Sequence, residues 1–451
     1  MKRRRATAAA AGAWALSLLA AACGGSGGSS EGTGATGNAG GTTAPTTPLA
    51  PTANADRAVV ATALTADLST RQATAVITLA PDAAPGATLE AGDLVLNDVT
   101  LAGQPLAWSR RGSLVDLALP AATAESTVTV RYQFQWHSQL DGASADGYSF
   151  TWPSACGNVF PCQSLPARGQ RFTLALQGVP AGQRAIQAAV PLVDAPAYQL
   201  AWTVGNYTDL ALGTTAAGTR LVASYQPDQE AAMRQGTAYL KAGFEWFEAT
   251  LGPYRFGSEA GPAAVSWPPS AYGGMEHHPR WHVATLSLAD PLLHLHEAAH
   301  GWFGDGVRLA CWEDFVLSEG TASYLAGRAL DATAPGATSS PWAYYAAQLA
   351  ALSGQEPVWP ESCNRIDVVK DGLYTQAPYV RGALFYRALA LKLGDAAVDR
   401  VLGRFYAQYA GKAAGMQDML AMVRSETGYD PAACARTWLR TAARPVLQAC
   451  P

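Results

Sequence analysis

Two histidines four residues apart, with a glutamate beside the first, stand out in the sequence: His296-Glu297-Ala298-Ala299-His300. On a helix, positions i and i+4 share one face, so both imidazoles can reach a single ion. Glu297 projects near the same face, where a carboxylate can take a proton from water activated by a metal. A catalytic zinc needs three protein ligands and one open position. The third ligand is expected to be Glu319, nineteen residues after His300, at the opening of a further helical segment. His294 lies two residues before His296 and hence off its face, so it reads as structural. The chemistry implied is hydrolysis at one zinc ion per chain.

These residues need helices to hold them. Ala231 to Leu251 carries apolar residues at helical spacing and stops before Gly252-Pro253. Segments around Leu292–Phe303, Ser318–Leu330, Trp342–Ser353, Arg381–Leu393 and Ala396–Tyr409 share that periodicity. Between about Asp56 and Pro227 the pattern is different. Thr74–Leu79, Leu114–Leu119 and Thr127–Tyr132 alternate or are β-branched, with Gly, Pro and Asp clusters between them. This predicts an antiparallel all-β domain over 56–227, followed by a mainly helical domain over 228–451. At 451 residues the chain is too long for one ordinary core, and 49% hydrophobic against 15% charged residues is a globular composition. A formal charge of -4 with no basic run points away from nucleic acid.

The first 22 residues read as an export signal: Lys2 to Arg5 are basic, Ala8 to Ala22 are apolar, and Leu19-Ala20-Ala21-Ala22 precedes Cys23. Small residues before a cysteine resemble a bacterial lipoprotein cleavage site, which implies a lipid on Cys23 and a lipid-anchored protein of the bacterial cell envelope. An ordinary signal peptide cut near the same place is the alternative. Residues 23–55 are nearly all Gly, Ser, Thr, Ala, Pro and Asn, a flexible tether by composition. Six cysteines remain, an even number suited to an oxidising compartment. Their order suggests the neighbour pairs Cys156–Cys162, Cys311–Cys363 and Cys434–Cys450, one of 15 possible connectivities. No CxxC spacing favours a structural zinc site instead.

The segments His296–Asp305 (HEAAHGWFGD) and Cys311–Tyr324 (CWEDFVLSEGTASY) resemble the gluzincin aminopeptidases, the family that includes aminopeptidase N and leukotriene hydrolase. Ser318-Glu319-Gly320 stands where the family has Asn-Glu-Gly, Gly301 where Gln is usual, and Asp305 where Asn is usual. Upstream, Gly273-Gly274-Met275-Glu276-His277 resembles the family's Gly-Ala-Met-Glu-Asn motif, whose edge strand lines the substrate backbone and whose Glu binds the free α-amino group. His277 for Asn is a departure that bears on how the peptide backbone is held. Downstream, Pro378-Tyr379-Val380-Arg381-Gly382 resembles a segment whose Tyr donates a hydrogen bond to the oxyanion. In the β domain, Asn158–Cys162 with Leu165-Pro166, and Ala201–Tyr207, carry a weaker likeness. Trp152 and Pro153 occupy the stretch where a second acidic or amide anchor for the amine is usual.

The resemblance implies a thermolysin-like α+β catalytic domain behind the β domain, ending without the family's large C-terminal helical domain and so leaving a more open cleft. It implies Glu297 and Tyr379 as catalytic groups, and Gly273, Gly274, Met275 and Glu276 as the peptide-binding strand. The expected activity is release of N-terminal amino acids from peptides. A zinc endopeptidase of the same chemistry and a non-catalytic peptide-binding lipoprotein are the rival readings.

Overall fold

The computed structural model describes residues 49–268, 272–334, 340–352, 358–363, 373–442 and 444–451. The leader, Cys23 and the tether as far as 48 lie outside the described residues. Residues 49–55, which composition assigns to the tether, are docked on the β domain. The Thr52 N–H donates to the Leu117 carbonyl at 3.4 Å. The Asn54 side chain donates to Asp82 at 3.0 Å, and its backbone N–H to the Thr88 hydroxyl at 3.0 Å. Composition missed this because hydrogen bonds to backbone and side-chain partners, not apolar burial, hold the segment.

The β domain is built on a seven-stranded sheet in the order 192–195, 170–177, 59–67, 72–79, 126–133, 95–101, 104–105. A smaller sheet, 87–90, 114–117 and 108–111, lies beside it. Period-two burial is clear in the strand Gln72–Leu79, where Ala73, Ala75, Ile77 and Leu79 are buried between more exposed neighbours. Together with Val128, Val130 and Tyr132 they form this domain's core. The pairing is antiparallel except that Val59–Asp67 runs parallel to Gln170–Gln177, with Ala61 opposite Arg171. Some hundred residues separate those two strands, so no local turn dictates their direction.

The boundary at 227 also shifts. Strands Thr208–Thr214 and Arg220–Tyr225 pair with each other and continue into the helical half: the sheet runs 208–214, 220–225, 263–265, 282–284, 274–275. Leu210, Leu221, Ala223 and Tyr225 accordingly pack in the same core as the helices. Their alternation identifies them as strands but carries no information about which sheet they join. The short strand Gly274–Met275 forms the outer edge, antiparallel to His282–Ala284. The helix expected over 231–251 is two helices, Glu230–Gly236 and Leu240–Leu251. Thr237 turns its hydroxyl back onto the Met233 carbonyl at the break.

Three helices carry the residues singled out above. Pro291–Ala299 begins where Asp290 accepts from the Leu292 and Leu293 N–H groups, with proline in the first turn. Phe315–Thr333 starts three residues earlier than expected, which places Glu319 in its second turn rather than at its opening. Ala377–Leu393 has Tyr379 in its first turn. The second and third of these helices touch backbone to backbone. A Cβ on Gly320 would stand 2.7 Å from the Gly382 Cα, and one on Gly382 would stand 2.4 Å from the Gly320 Cα. The two glycines thus set the distance between Glu319 and Tyr379, each one to three residues away. Among the described residues the three disulfides pair as the order of the cysteines suggests, Cys156–Cys162, Cys311–Cys363 and Cys434–Cys450. No described helix is long and apolar enough to cross a membrane.

Gly382→Ala forces those two helices apart. Overpacking of this kind costs about 1–3 kcal/mol, so the melting temperature is expected to fall by several degrees (~2–4 °C per kcal/mol for a domain of this size). An unchanged thermal midpoint would show that the helix pair does not depend on the contact.

Candidate metal centre

The helix Pro291–Ala299 presents His296 and His300 one turn apart, and the helix Phe315–Thr333 brings Glu319 up to both. His296 Nε2 and His300 Nε2 are 3.1 Å apart. Glu319 Oε2 lies 3.2 Å from the first and 3.3 Å from the second. Protonation of the far ring nitrogens decides what this means. His300 Nδ1 is 3.0 Å from the Phe303 carbonyl, which can only accept, so Nδ1 carries a proton and the neutral imidazole has its lone pair on Nε2. His296 Nδ1 is 3.2 Å from the Ser323 hydroxyl, whose backbone carbonyl in turn accepts from Tyr345 at 3.0 Å. With the proton of His296 on that side as well, two imidazole lone pairs and a carboxylate oxygen converge within 3.3 Å.

Such a set repels itself unless a cation lies between its members. Ligand atoms about 2.0–2.1 Å from a tetrahedral ion are roughly 3.3 Å from one another, which is the spacing found. Glu319 Oε2 is buried and has no hydrogen-bond partner among the described residues. Two nitrogens and one carboxylate oxygen are a donor set that zinc accepts at catalytic sites. The residues present therefore fit zinc. Electrostatics point the same way. Burial alone would lift the Glu319 carboxyl, but the His300 and His296 imidazoles hold it down at about 2. Burial pulls His300 down, yet Glu319, Glu276 and Glu297 outweigh it and hold that imidazole well above its usual range. A buried pocket with this many carboxylates around one imidazole favours positive charge.

Glu297 is 4% exposed and its Oε2 lacks a hydrogen-bond partner among the described residues. Burial, with Glu276, Glu319 and Asp305 adding to it against the pull of His300, pushes its carboxyl well above the carboxylate range. It rests against the edge strand: a Cβ on Gly274 would lie 2.3 Å from Glu297 Oε1. Gly274 thus leaves room for the carboxylate, and a larger residue there would displace it. Glu276, 6% exposed, ends the same strand region, with a carboxylate oxygen within 4.8 Å of ligand atoms on Glu297 and His300. Burial raises its carboxyl too. The Tyr379 ring lies 5.7 Å from that of His296, with a phenol raised well above 10 by burial and by the carboxylates around it.

His296, Glu297, His300, Glu319, Tyr379 and the strand Gly273–Glu276, all expected in the site from the sequence, therefore border one cavity of about 280 Å³. Trp152 and Pro153 border it as well. His294 lies apart, hydrogen-bonded to the Leu288 carbonyl at 2.8 Å, a structural role as its position on the helix suggests. His277 does not face the substrate strand's open side. Its ring packs 6.0 Å from Phe150 and 4.8 Å from His282, so its side chain is not available to hold a peptide backbone. Spacing in the sequence pointed neither to Ser323, which orients His296, nor to Tyr198, whose hydroxyl donates to Asp305 at 2.6 Å and faces Glu276. Tyr198 belongs to a short 3-10 turn in the β-rich half, nearly eighty residues from Glu276, and no local pattern marks it.

Residues 291–438 match the peptidase family M1 domain. Aminopeptidase N of Streptomyces lividans is 28% identical over 162 residues, 34% of this chain and 19% of that protein. Leucine aminopeptidase 2 of Aspergillus clavatus is 27% identical over 278 residues, 57% of this chain and 42% of that protein. The matched stretch is thus under half the length of either relative. An M1 zinc metallopeptidase from Deinococcus radiodurans shares the fold, with a TM-score of 0.72 at 21% identity, covering 86% of this chain and 95% of that one. Legionella pneumophila aminopeptidase A matches equally well in shape, TM-score 0.72 at 15% identity, over 86% of this chain and 50% of its own. The resemblance to the gluzincin aminopeptidases holds in both domain and fold.

Proposed function

We propose that this chain is a zinc aminopeptidase, hydrolysing the first peptide bond of peptides with a free N-terminus. One observation carries the reading: the three converging lone pairs of His296, His300 and Glu319 lie beside an unpartnered buried carboxylate, Glu297, at an edge strand that ends in a second buried carboxylate, Glu276. Zinc held by His296, His300 and Glu319 supplies a Lewis acid that polarises the scissile carbonyl and lowers the pKa of water.

The chain's own groups do the rest. The edge strand Gly273–Met275 aligns the peptide as an added strand. Glu276 pairs with the α-ammonium, and this pairing sets the register at one residue from the bond cut. Glu297 takes the proton of the attacking water and returns it to the leaving amine. The Tyr379 hydroxyl, fully protonated because burial raises its pKa, donates to the oxyanion from the side opposite the metal ligands. A second reading, an endopeptidase of the same chemistry, is favoured by Trp152 and Pro153. They stand where a second polar anchor is expected, which leaves Glu276 as the ammonium's carboxylate.

The same proposal places the enzyme at the cell envelope, lipidated on Cys23 after removal of residues 1–22. The three disulfides support an oxidising compartment. Cys23→Ser should move the protein from the membrane fraction to the soluble one, and its retention in the membrane would refute the anchor.

Two substitutions separate base from ligand. Glu297→Gln keeps stoichiometric zinc and loses at least about 100-fold in turnover. Glu319→Ala loses zinc on dialysis together with activity, since two protein ligands remain. Activity within threefold of wild type in the first, or full zinc in the second, removes the residue from its role. Glu276→Ala decides the register. A buried charge-assisted pair contributes about 1.5–3 kcal/mol, so kcat/KM on free peptides falls roughly ten- to a hundredfold while N-acetylated peptides are unaffected. Equal losses on both would make Glu276 a structural residue of the cleft wall and remove it as the group that sets the register.

A further inference from the structure

Glu276 borders two cavities, the metal cavity and a much smaller one of about 10 Å³. The walls of the small one are mainly proline and aromatic, Pro153, Pro166, Pro196 and Phe315 among them. A single water needs about 10–15 Å³, so the carboxyl has little room to turn away on that side. Few groups are placed to orient it. Burial raises the Glu276 carboxyl, with Glu319 adding to it, and the charge of His300, its own backbone N–H and the Tyr198 hydroxyl work against this. His300 belongs to the metal, and a residue's own N–H moves with it. Ser318 also borders the small cavity, but its Oγ lies 3.3 Å from His300 Nδ1. Tyr198 is left as the side chain that can fix where the carboxylate points.

Tyr198 is itself firmly held. Its turn is closed by the Gln199 N–H donating to the Pro196 carbonyl at 3.2 Å and the Leu200 N–H to the Ala197 carbonyl at 3.3 Å. The residue is buried, and its hydroxyl lies 2.6 Å from Asp305 Oδ1. Asp305 is tied in turn to the metal-ligand helix, because its N–H donates to the His300 carbonyl at 3.2 Å. Gly304, at a φ of 108°, makes the turn that allows this. The phenol therefore stands as a strut between Glu276 and the backbone of a metal ligand. A phenol oxygen can donate one hydrogen bond and accept another, so it links the two carboxyls once one of them holds a proton. Burial favours a proton on both.

We infer that Tyr198 is a positioning residue: backed by Asp305, its hydroxyl fixes the Glu276 carboxylate relative to the metal ligands, and so sets the distance between the bound α-ammonium and the bond to be cut. The inference rests on the aminopeptidase reading above. Tyr198 is not among the described residues that border the metal cavity, so it acts on the substrate through Glu276. Misplacing a reacting group by about 1 Å can cost on the order of 100-fold in rate, which is why one hydroxyl at this remove matters.

The test is a double-mutant cycle on the full-length enzyme with zinc. It combines Tyr198→Phe, which removes one oxygen and keeps the ring, with Glu276→Ala. The readouts are kcat/KM on a leucyl reporter with a free amine and on an N-acetylated peptide, and the zinc content of every variant. Tyr198→Phe alone should lose roughly 10–30-fold on the free amine, stay within about twofold on the acetylated peptide and keep stoichiometric zinc. In the Glu276→Ala background the same substitution should cost less than about twofold, because the group it positions is gone. Each free-to-acetylated ratio is taken within one preparation, so a partly unfolded variant still gives a valid answer. Equal losses in both backgrounds or on both substrates, loss of zinc in Tyr198→Phe, or no loss at all would overturn the inference and leave the aminopeptidase reading in place. Glu276→Ala acting equally on free and acetylated substrates would instead remove Glu276 as the ammonium's partner, and this inference with it.

Discussion

Three electron pairs brought within 3.3 Å of one another, on His296, His300 and Glu319, impose the condition that the rest of the catalytic half has to meet. Bare, they repel. Two helices must nevertheless hold them there before any ion arrives, and that requires rigid backbone rather than flexible side chains. The backbone contact of Gly320 with Gly382, the cap at Asp290, and the Phe303 carbonyl and Ser323 hydroxyl behind the imidazoles all serve this end. Each removes a freedom that the ligands would otherwise use to move apart. The cost is offset when a divalent cation binds, so ion binding and folding free energy are linked.

The same logic extends outward from the metal ligands. Four buried acids, Glu276, Glu297, Asp305 and Glu319, surround His300, and burial works to raise all four. Without a cation most of that charge has to be neutralised by protons, as the raised carboxyls of Glu276, Glu297 and Asp305 reflect. A bound dication reverses the balance, favouring the ionised form of the base that the proposed mechanism needs. The donor set and Glu297 are thus one electrostatic unit, and neither can be tuned without the other.

How much of this could be read from the sequence depended on whether the signal was local. His296, Glu297 and His300 are separated by one helical turn, so spacing alone placed them together. Glu319 lay within one helix–turn–helix unit and was legible too, although the start of its helix was not, because Phe315-Val316-Leu317 is apolar in any conformation. Trp152, Tyr198 and Tyr374 reach the site from segments scattered over more than two hundred residues. No periodicity connects them, and only the tertiary packing of both halves around the cavity brings them together. The strands Thr208–Thr214 and Arg220–Tyr225 illustrate the same limit: alternation announced strands, and long-range pairing alone decided their sheet.

That division of labour has a chemical consequence. In the proposed function, residues legible from local spacing are those that hold the ion and move the proton, which any substrate requires. Trp152 and Tyr374, which only the folded chain assembles, complete the border of the same cavity. Glu276 lies between the two groups: its strand is marked by sequence, yet its surroundings are Tyr198 and Asp305 from distant segments. A carboxylate so placed contributes charge from its own identity and precision from its neighbours.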